Sequence, residues 1–133
     1  MATKIYVNFP VKDLDKSITF FTKLGYTFDF RFTDEKATCM IVDEDIFVML
    51  VAEPFFKTFT EKEICDATRT TETIISLSAE SKAAVDKLIK KAVDAGGKAS
   101  HEPKDYGWMY QHGFQDPDGH LWELIYMDMN KIV

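Results

Sequence analysis

Cysteine, proline and glycine are scarce in this chain of 133 residues, which contains two Cys, four Pro and six Gly. The two cysteines, Cys39 and Cys65, lack the short spacing of a metal-binding motif, so we expect reduced structural thiols rather than a disulfide framework. No apolar run approaches the roughly 20 residues that a membrane-spanning helix needs. The longest run, residues 46–52, is predicted to be a buried strand, and no membrane association is expected.

Several functional motifs are also missing. The chain has no glycine-rich phosphate loop, no nucleophile elbow and no cysteine in a recognisable nucleophile motif. Sixteen basic against 22 acidic residues give a net charge of −6, which disfavours binding to nucleic acid or to anionic lipid. The first residues do not form a basic segment followed by an apolar stretch of about 7 to 15 residues, so we expect a cytoplasmic protein.

The overall composition is typical of a folded globular domain, with 46% hydrophobic and 14% aromatic residues. We predict a single domain over residues 1–133, because the chain has the length of one ordinary domain. Within it we predict two similar halves. Module 1 covers about residues 1–53, a connector covers residues 54–70, and module 2 covers about residues 71–133.

The first half has the periodicity of a strand, a helix and three further strands. Residues 5–11 place apolar side chains at every second position, as a half-buried strand does. Asp13 is predicted to cap a helix that runs through Leu24 and stops at Gly25. The remaining strands of this βαβββ unit are rich in Phe, Val, Ile and Thr, and are predicted at residues 26–33, 37–42 and 46–52.

The second half follows the same order after the connector. Within the connector, Thr60 and Glu63 have the spacing of a capping box, which predicts a short helix. A strand is predicted at residues 73–79, followed by a helix that Ser81 caps and that Gly96 and Gly97 end. Three more strands are predicted near residues 98–101, 110–115 and 121–127, with a turn at residues 116–119.

The two halves repeat each other in pattern rather than in identity. Adding 68 carries Val7 onto Ile75 and Phe9 onto Leu77, so that core positions fall on core positions. The predicted fold class is α+β, with two tandem βαβββ modules that form a curved mixed sheet, or cup, with helices on its outer face. Two unrelated α+β halves remain the alternative.

Both ends of the chain resemble one known superfamily. Residues 5–17, Ile-Tyr-Val-Asn-Phe-Pro-Val-Lys-Asp-Leu-Asp-Lys-Ser, followed by Phe-Phe at residues 20–21 and Leu-Gly at residues 24–25, resemble the opening of the vicinal oxygen chelate superfamily. Residues 114–124, Phe-Gln-Asp-Pro-Asp-Gly-His-Leu-Trp-Glu-Leu, resemble its ending. That superfamily includes glyoxalase I, extradiol dioxygenases, fosfomycin-modifying enzymes and bleomycin resistance proteins, so the resemblance implies a fold rather than one reaction.

The resemblance also implies where a metal ion would bind. Metal-dependent members hold one divalent ion with a ligand on the first and on the last strand of each module. In this sequence those positions carry Tyr6 and Met49 in module 1, and Ile74 and Glu123 in module 2. Only Glu123 is an ordinary ligand for such an ion, because hard divalent ions prefer oxygen and imidazole donors. We therefore predict no metal cofactor, although substituted ligands at Asn8, Glu72, Ser76 or His112 remain an alternative.

Glu123 is the main candidate for a site residue, as a ligand anchor or a general base, with Tyr6 as a hydrogen-bond donor or acid. An equally open alternative is that Glu123 is a former metal ligand, now hydrogen-bonded to Tyr6 or Asn8. Tyr106, Trp108 and Tyr110 are candidates for a wall that stacks on a flat ligand, or else for edge packing or a dimer contact. The predicted ligand-binding residues are Asn8, Phe47, Met49, Ile74, Ser76, Trp108, Gln111 and Leu121.

The orientation of the strand near residue 112 depends on Gly113. If the strand is regular and Phe114 lies in the core, Tyr110 and His112 point the same way and Gln111 points into the cup. A bulge at Gly113 would reverse these directions. Solvent-exposed side chains are expected at the other two histidines, His101 and His120, because both lie beside turns.

Together, the resemblance and the missing ligands favour a glyoxalase-like or bleomycin-resistance-like protein that binds or modifies a small organic compound without a metal. We expect it to form a homodimer. If it is an enzyme, the resemblance implies a glyoxalase-like lyase or a dioxygenase. One alternative is a metal-dependent enzyme of that kind with substituted ligands, and another is a structural or protein-interaction module whose cup is filled by its own side chains.

Overall fold

A computed structural model describes residues 3–132 of the chain. The chain divides into two compact units, residues 1–65 and residues 66–133. Each unit contains a mixed β-sheet and at least one helix, which confirms the predicted α+β class. Within the described residues, no helix is both long and apolar enough to cross a membrane.

Unit 1 is a four-stranded sheet with one long helix. Its strands lie in the order β1-β4-β3-β2, with β1 parallel to β4 and the other pairs antiparallel. The βαβββ order is the one predicted from the sequence, and the structure adds that the first and last strands lie side by side. The elements are β1 (Ile5–Val11), α1 (Leu14–Leu24), β2 (Thr27–Asp29), β3 (Ala37–Asp43), β4 (Ile46–Ala52) and the short α2 (Glu53–Phe56).

The ends of α1 are set by the residues predicted for them. The side chain of Asp13 accepts a hydrogen bond from the backbone N–H of Lys16, which satisfies one of the free donors of the first turn. Gly25 ends the helix in the left-handed region, at a φ of 104° that favours glycine. Between these ends, Phe20 and Phe21 are buried and anchor the helix in the core of unit 1.

Unit 2 repeats this topology with one additional short edge strand. The order β5-β9-β8-β6 matches that of unit 1, β5 and β9 are parallel, and β7 also pairs with β8. The tandem βαβββ prediction is therefore confirmed. The elements are β5 (Ile74–Ser78), α3 (Lys82–Asp94), β6 (Lys98–Ala99), β7 (Lys104–Asp105), β8 (Met109–Gln115) and β9 (Leu121–Met127).

Helix α3 covers one face of the unit 2 sheet. Ser81 caps it by accepting a hydrogen bond from the N–H of Ala84 at 3.0 Å, as predicted. Its apolar stripe is buried and packs towards β8 and β9. Because side chains alternate along a strand, every second residue of β8 and β9 faces this helix. The buried residues of this layer are Val85, Ile89, Ala92, Phe114, Trp122 and Leu124.

Two local predictions were wrong. The strand predicted at residues 26–33 ends at Asp29, because the Asp29 carboxylate accepts from the N–H of Arg31 and starts a 3-10 helix, Phe30–Phe32. The helix predicted from the capping box does not form. The hydroxyl of Thr60 instead accepts from the N–H of Lys62 in a local turn, and the helical turn of this region lies earlier, at Glu53–Phe56.

Candidate functional site

Glu123 lies on the face of the unit 2 sheet that α3 does not cover, which we call the open face. Trp122 and Leu124, its neighbours in β9, are buried on the helix side, so the alternation of the strand turns Glu123 the other way. Its register partners are Ser76 on β5 and Gly113 on β8. Directly paired residues share a sheet face, so the open face is centred on this carboxylate.

His101 is the hydrogen-bond partner of Glu123. Its Nε2 lies 2.8 Å from Oε1 and 3.1 Å from Oε2 of the carboxylate, and the two side chains are only 22% and 15% exposed. The other ring nitrogen, Nδ1, lies 2.6 Å from the carbonyl oxygen of Glu102. His101 was expected to be exposed, and that expectation was wrong. The edge strand β6 ends at Ala99, and the chain then bends so that the imidazole turns back onto the sheet.

Gly113 makes room for this contact. A Cβ built on Gly113 would lie 2.4 Å from Oε2 of Glu123, 2.5 Å from the hydroxyl of Ser100 and 2.8 Å from the carbonyl of Trp122. These distances are shorter than any carbon contact, so a side chain here would displace the carboxylate. β8 lies between β9 and the segment that carries His101, so Glu123 reaches across β8 through the space that the glycine leaves.

The hydrogen-bond pattern limits where the protons are. A carbonyl oxygen can only accept, so Nδ1 of His101 carries a hydrogen. The contact between Nε2 and Glu123 then requires one further proton shared by the two groups. Nε2 approaches both carboxylate oxygens, which suits an N–H donor shared between two acceptors. The arrangement is that of a histidine and a carboxylate that share a proton, and it can accept a hydrogen bond or exchange a proton on the open face.

A second polar cluster lies on the helix side of β8. β8 pairs with β9 residue for residue from Met109 to Gln115, so Tyr110 and His112 face the same way as Phe114. The hydroxyl of Tyr110 donates to Asp86 on α3 at 2.6 Å, and this bond, together with partial burial, raises the pKa of Tyr110 to about 12. Nδ1 of His112 is 4.0 Å from the same Asp86 oxygen and has no hydrogen-bond partner among the described residues.

Asp116 organises the turn that leads into β9. Its Oδ1 accepts from the N–H groups of Asp118 and His120, and its Oδ2 accepts from Nε1 of Trp122, each at 3.0 Å. Burial raises the pKa of Asp116, and the nearby His120 partly offsets that effect. His120 was expected to be exposed but is buried beside this carboxylate, which corrects the second histidine assignment. Asp116 therefore fixes the start of the strand that carries Glu123.

The predicted site residues of unit 1 form an aromatic and amide surface. The rings of Tyr6 and Phe47 stack at 4.9 Å between centroids, as register partners on β1 and β4. Asn8 and Met49 are the next pair on the same face, and the Asn8 side-chain amide donates to the carbonyl of Tyr6 at 3.4 Å. Tyr6 is about half exposed. These residues lie together within unit 1, as the strand alternation predicts.

Most predicted site residues of unit 2 share the open face with Glu123 by register, whereas Trp108 lies outside the paired strands. Ile74 pairs with Leu121, and Ser76 pairs with Glu123. Gln111 lies on β8, two residues from Gly113, and so shares the open face. Trp108 precedes β8, and its carbonyl accepts from the N–H of Asp128 at 2.7 Å. The residues not identified from the sequence are His101 and Gly113. The only sequence signal for this pair was a glycine in the middle of a predicted strand, which indicates that another group approaches the backbone closely at that position.

The metal positions implied by the resemblance do not fit a divalent ion. Tyr6, Met49 and Ile74 offer no ordinary ligand for it, and Glu123 is already bound to His101. Within residues 3–132, no three His, Cys, Asp or Glu side chains are grouped so as to hold an ion. The residues present therefore suit a hydrogen-bonded site better than a metal centre.

Comparisons with known proteins give one matching family model and several solved structures of similar fold. The family model described as the Glyoxalase/Bleomycin resistance protein/Dioxygenase superfamily matches residues 5–124. A hypothetical protein from S. aureus has 27% identity and a TM-score of 0.81, with 95% of this chain and 94% of that chain covered. A family enzyme from Burkholderia phytofirmans has 18% identity and a TM-score of 0.78, covering 95% and 99%.

A more distant structure shares the same fold. The fosfomycin resistance protein FosX from Mesorhizobium loti has 14% identity and a TM-score of 0.70, with 98% of this chain and 97% of that chain covered. No curated protein matches the chain. At these identities the solved structures support the fold, and the site has to be argued from its own residues.

Proposed function

This chain belongs to the Glyoxalase/Bleomycin resistance protein/Dioxygenase superfamily, and from that premise we propose that it binds or modifies a small organic compound without a metal ion. The observation that carries the proposal is the hydrogen bond between His101 and Glu123 at 2.8 Å on the open face of unit 2. A mostly buried histidine–carboxylate pair on the sheet face opposite α3 is typical of a ligand site. We also propose that the protein acts as a homodimer.

The roles of the residues follow from their chemistry. Glu123 offers acceptor lone pairs to a hydroxyl or N–H group of the ligand, and it serves as a general base if a proton is removed. His101 orients that carboxylate and balances its charge. Ile74, Leu121 and Ser76 provide apolar contact and one hydroxyl beside it. Tyr6 and its stacked partner Phe47 are proposed as an aromatic surface for a ligand of unit 1.

Ligand binding is the first test. The full chain is mixed with fosfomycin, with bleomycin and with a library of small organic compounds in the presence of EDTA, and thermal unfolding is followed. A ligand at about 100 times its Kd raises the free energy of unfolding by about 2.7 kcal/mol. We expect at least one compound to stabilise the wild type but not Glu123→Gln. The matched control, Glu80→Gln, changes an exposed carboxylate of unit 2 and should respond like the wild type.

Metal content is the second measurement. Protein purified without chelator is subjected to elemental analysis, before and after incubation with nickel, zinc, manganese or ferrous ion. We expect no stoichiometric metal under any of these conditions. Near-stoichiometric metal that is lost in Glu123→Ala would contradict metal independence and favour a metal-dependent lyase or dioxygenase. A protein that binds neither metal nor any compound would favour the structural or protein-interaction alternative.

A further inference from the structure

The position of Glu123 raises the question of what balances its charge. In the metal-dependent relatives implied by the sequence resemblance, the carboxylate at this place binds a cation. A carboxylate that is only 15% exposed is costly unless it is paired and hydrogen-bonded. In this chain the group in contact with it is the imidazole of His101, which approaches both carboxylate oxygens.

We propose that His101 takes the place of the metal ion, so that its Nε2–H supplies to Glu123 the positive charge and the directional contact that a divalent cation would supply. His101 is then a positioning residue that holds the carboxylate on the open face. The role of His101 in a ligand site rests on the function proposed above. The pairing of His101 with Glu123 does not depend on that function.

With both ring nitrogens in hydrogen bonds, the imidazole of His101 has no lone pair left for a metal. Nδ1 donates to the carbonyl of Glu102 at 2.6 Å, and Nε2 donates to Glu123. A histidine binds a metal only through a deprotonated nitrogen. Metal binding here would therefore have to break one of two hydrogen bonds, and breaking the second would leave the mostly buried carboxylate of Glu123 without its donor.

Gly113 leaves the space that this pairing needs. The glycine lies beneath the carboxylate, and a Cβ in its place would lie 2.4 Å from Oε2. The corresponding pair in unit 1 is Met49 and Cys39. Cys39 stands at the position of the glycine, and its side chain is buried. Only in unit 2, therefore, does the central strand leave room for a carboxylate to reach across to an imidazole.

The test is the protonation of the histidine rings in the full-length protein. Only three histidines are present, so two-bond ¹H–¹⁵N spectra of ¹⁵N-labelled protein at neutral pH resolve each ring after assignment by single substitutions. We expect His101 to carry protons on both nitrogens in the wild type. In Glu123→Gln we expect the Nε2 proton to be lost, leaving the neutral ring that still donates from Nδ1.

Two further variants separate the pairing from general effects. Gly113→Ala should displace the carboxylate and give the same loss of the Nε2 proton, while far-UV circular dichroism checks that the protein still folds. Ser100→Ala removes a hydroxyl from the same space and should leave the His101 signals unchanged. One equivalent of zinc or manganese should neither shift nor broaden the His101 signals of the wild type.

The results that overturn the inference are distinct from those that overturn the proposed function. A neutral His101 ring in the wild type, or His101 signals that shift with zinc or broaden with manganese, would show that His101 does not replace the ion. If compounds still bind in the presence of EDTA, the proposed ligand-binding function would be retained. Conversely, a doubly protonated His101 in a protein that binds no compound would retain the inference and reject the function.

Discussion

At the scale of single residues, Tyr110 and Asp86 form the tightest polar contact between α3 and β8. The phenol donates to the carboxylate at 2.6 Å, and this bond, partial burial and the negative charge of Asp86 raise the pKa of Tyr110 to about 12. A raised pKa means that the protonated phenol favours the folded state below the ordinary pKa of about 10. That contribution is lost as the pH rises through the folded-state pKa.

Replacing Asp86 with Asn should lower the pKa of Tyr110 towards its ordinary value, because the negative charge and the charge-assisted bond both disappear. The measurement is the ¹³Cζ shift of labelled tyrosine as the pH is raised. Tyr26 is an internal control, since burial rather than a carboxylate raises its pKa. If the titration of Tyr110 is the same in Asp86→Asn and wild type, the hydrogen bond is not the cause.

At the scale of elements, the turn between β8 and β9 depends on one buried carboxylate. Asp116 satisfies two backbone N–H groups with Oδ1 and the Trp122 indole with Oδ2. Asp116→Asn should lower the free energy of unfolding by ~1–3 kcal/mol, because the amide has one acceptor oxygen and leaves a buried donor unpaired. Asp118→Asn, in the same turn, should have a smaller effect. Urea unfolding of both variants measures the difference.

The pH dependence of that effect has a defined sign. Burial raises the pKa of Asp116 in the folded state, so its protonation stabilises the fold at acid pH and this contribution is lost as the pH rises through the folded-state pKa. Asn cannot titrate. The stability difference between wild type and Asp116→Asn should therefore be largest at acid pH and shrink towards neutral pH. A difference that grows with pH would contradict the assignment.

Elements with strong periodicity and defined caps could be predicted from the sequence, and those fixed by a local side chain could not. Asp13 and Ser81 cap the helices predicted for them. In both segments the spacing of the apolar residues and the capping residue indicate the same helix. Residues 26–33 were predicted as one strand, but the Asp29 side chain offers the backbone a local alternative. His101 could not be paired with Glu123, because that contact depends on where the edge strand ends.

At the scale of the whole molecule, the two units share a topology but not a chemistry. Both have the first and last strands of a βαβββ unit side by side. The central pair of the open face is Glu123 and Gly113 in unit 2, where Met49 and Cys39 occupy the same places in unit 1. The repeat therefore supplies two similar surfaces, and substitutions at a few paired positions decide what each surface can bind.

The segment that joins the units should be the first place that a protease cuts. Residues 57–63 are mostly exposed, and Lys62 lies outside the helices and strands. Arg69 is also exposed, but its N–H bonds to the carbonyl of Asp66 in a turn whose residue Ala67 lies close to Gly119. Because cleavage requires local unfolding, we expect trypsin to cut after Lys62 before it cuts after Arg69.

Mass spectrometry of a limited digest measures this order directly. The first products should be residues 1–62 and 63–133. Lys62→Gln should slow the first cut, whereas Arg69→Gln, the matched control in the turn, should leave its rate unchanged. First cleavage within α3, which carries Lys87, Lys90 and Lys91, would instead mean that the helix opens more readily than the connector. Unit 2 would then be less stable than its buried helix face implies.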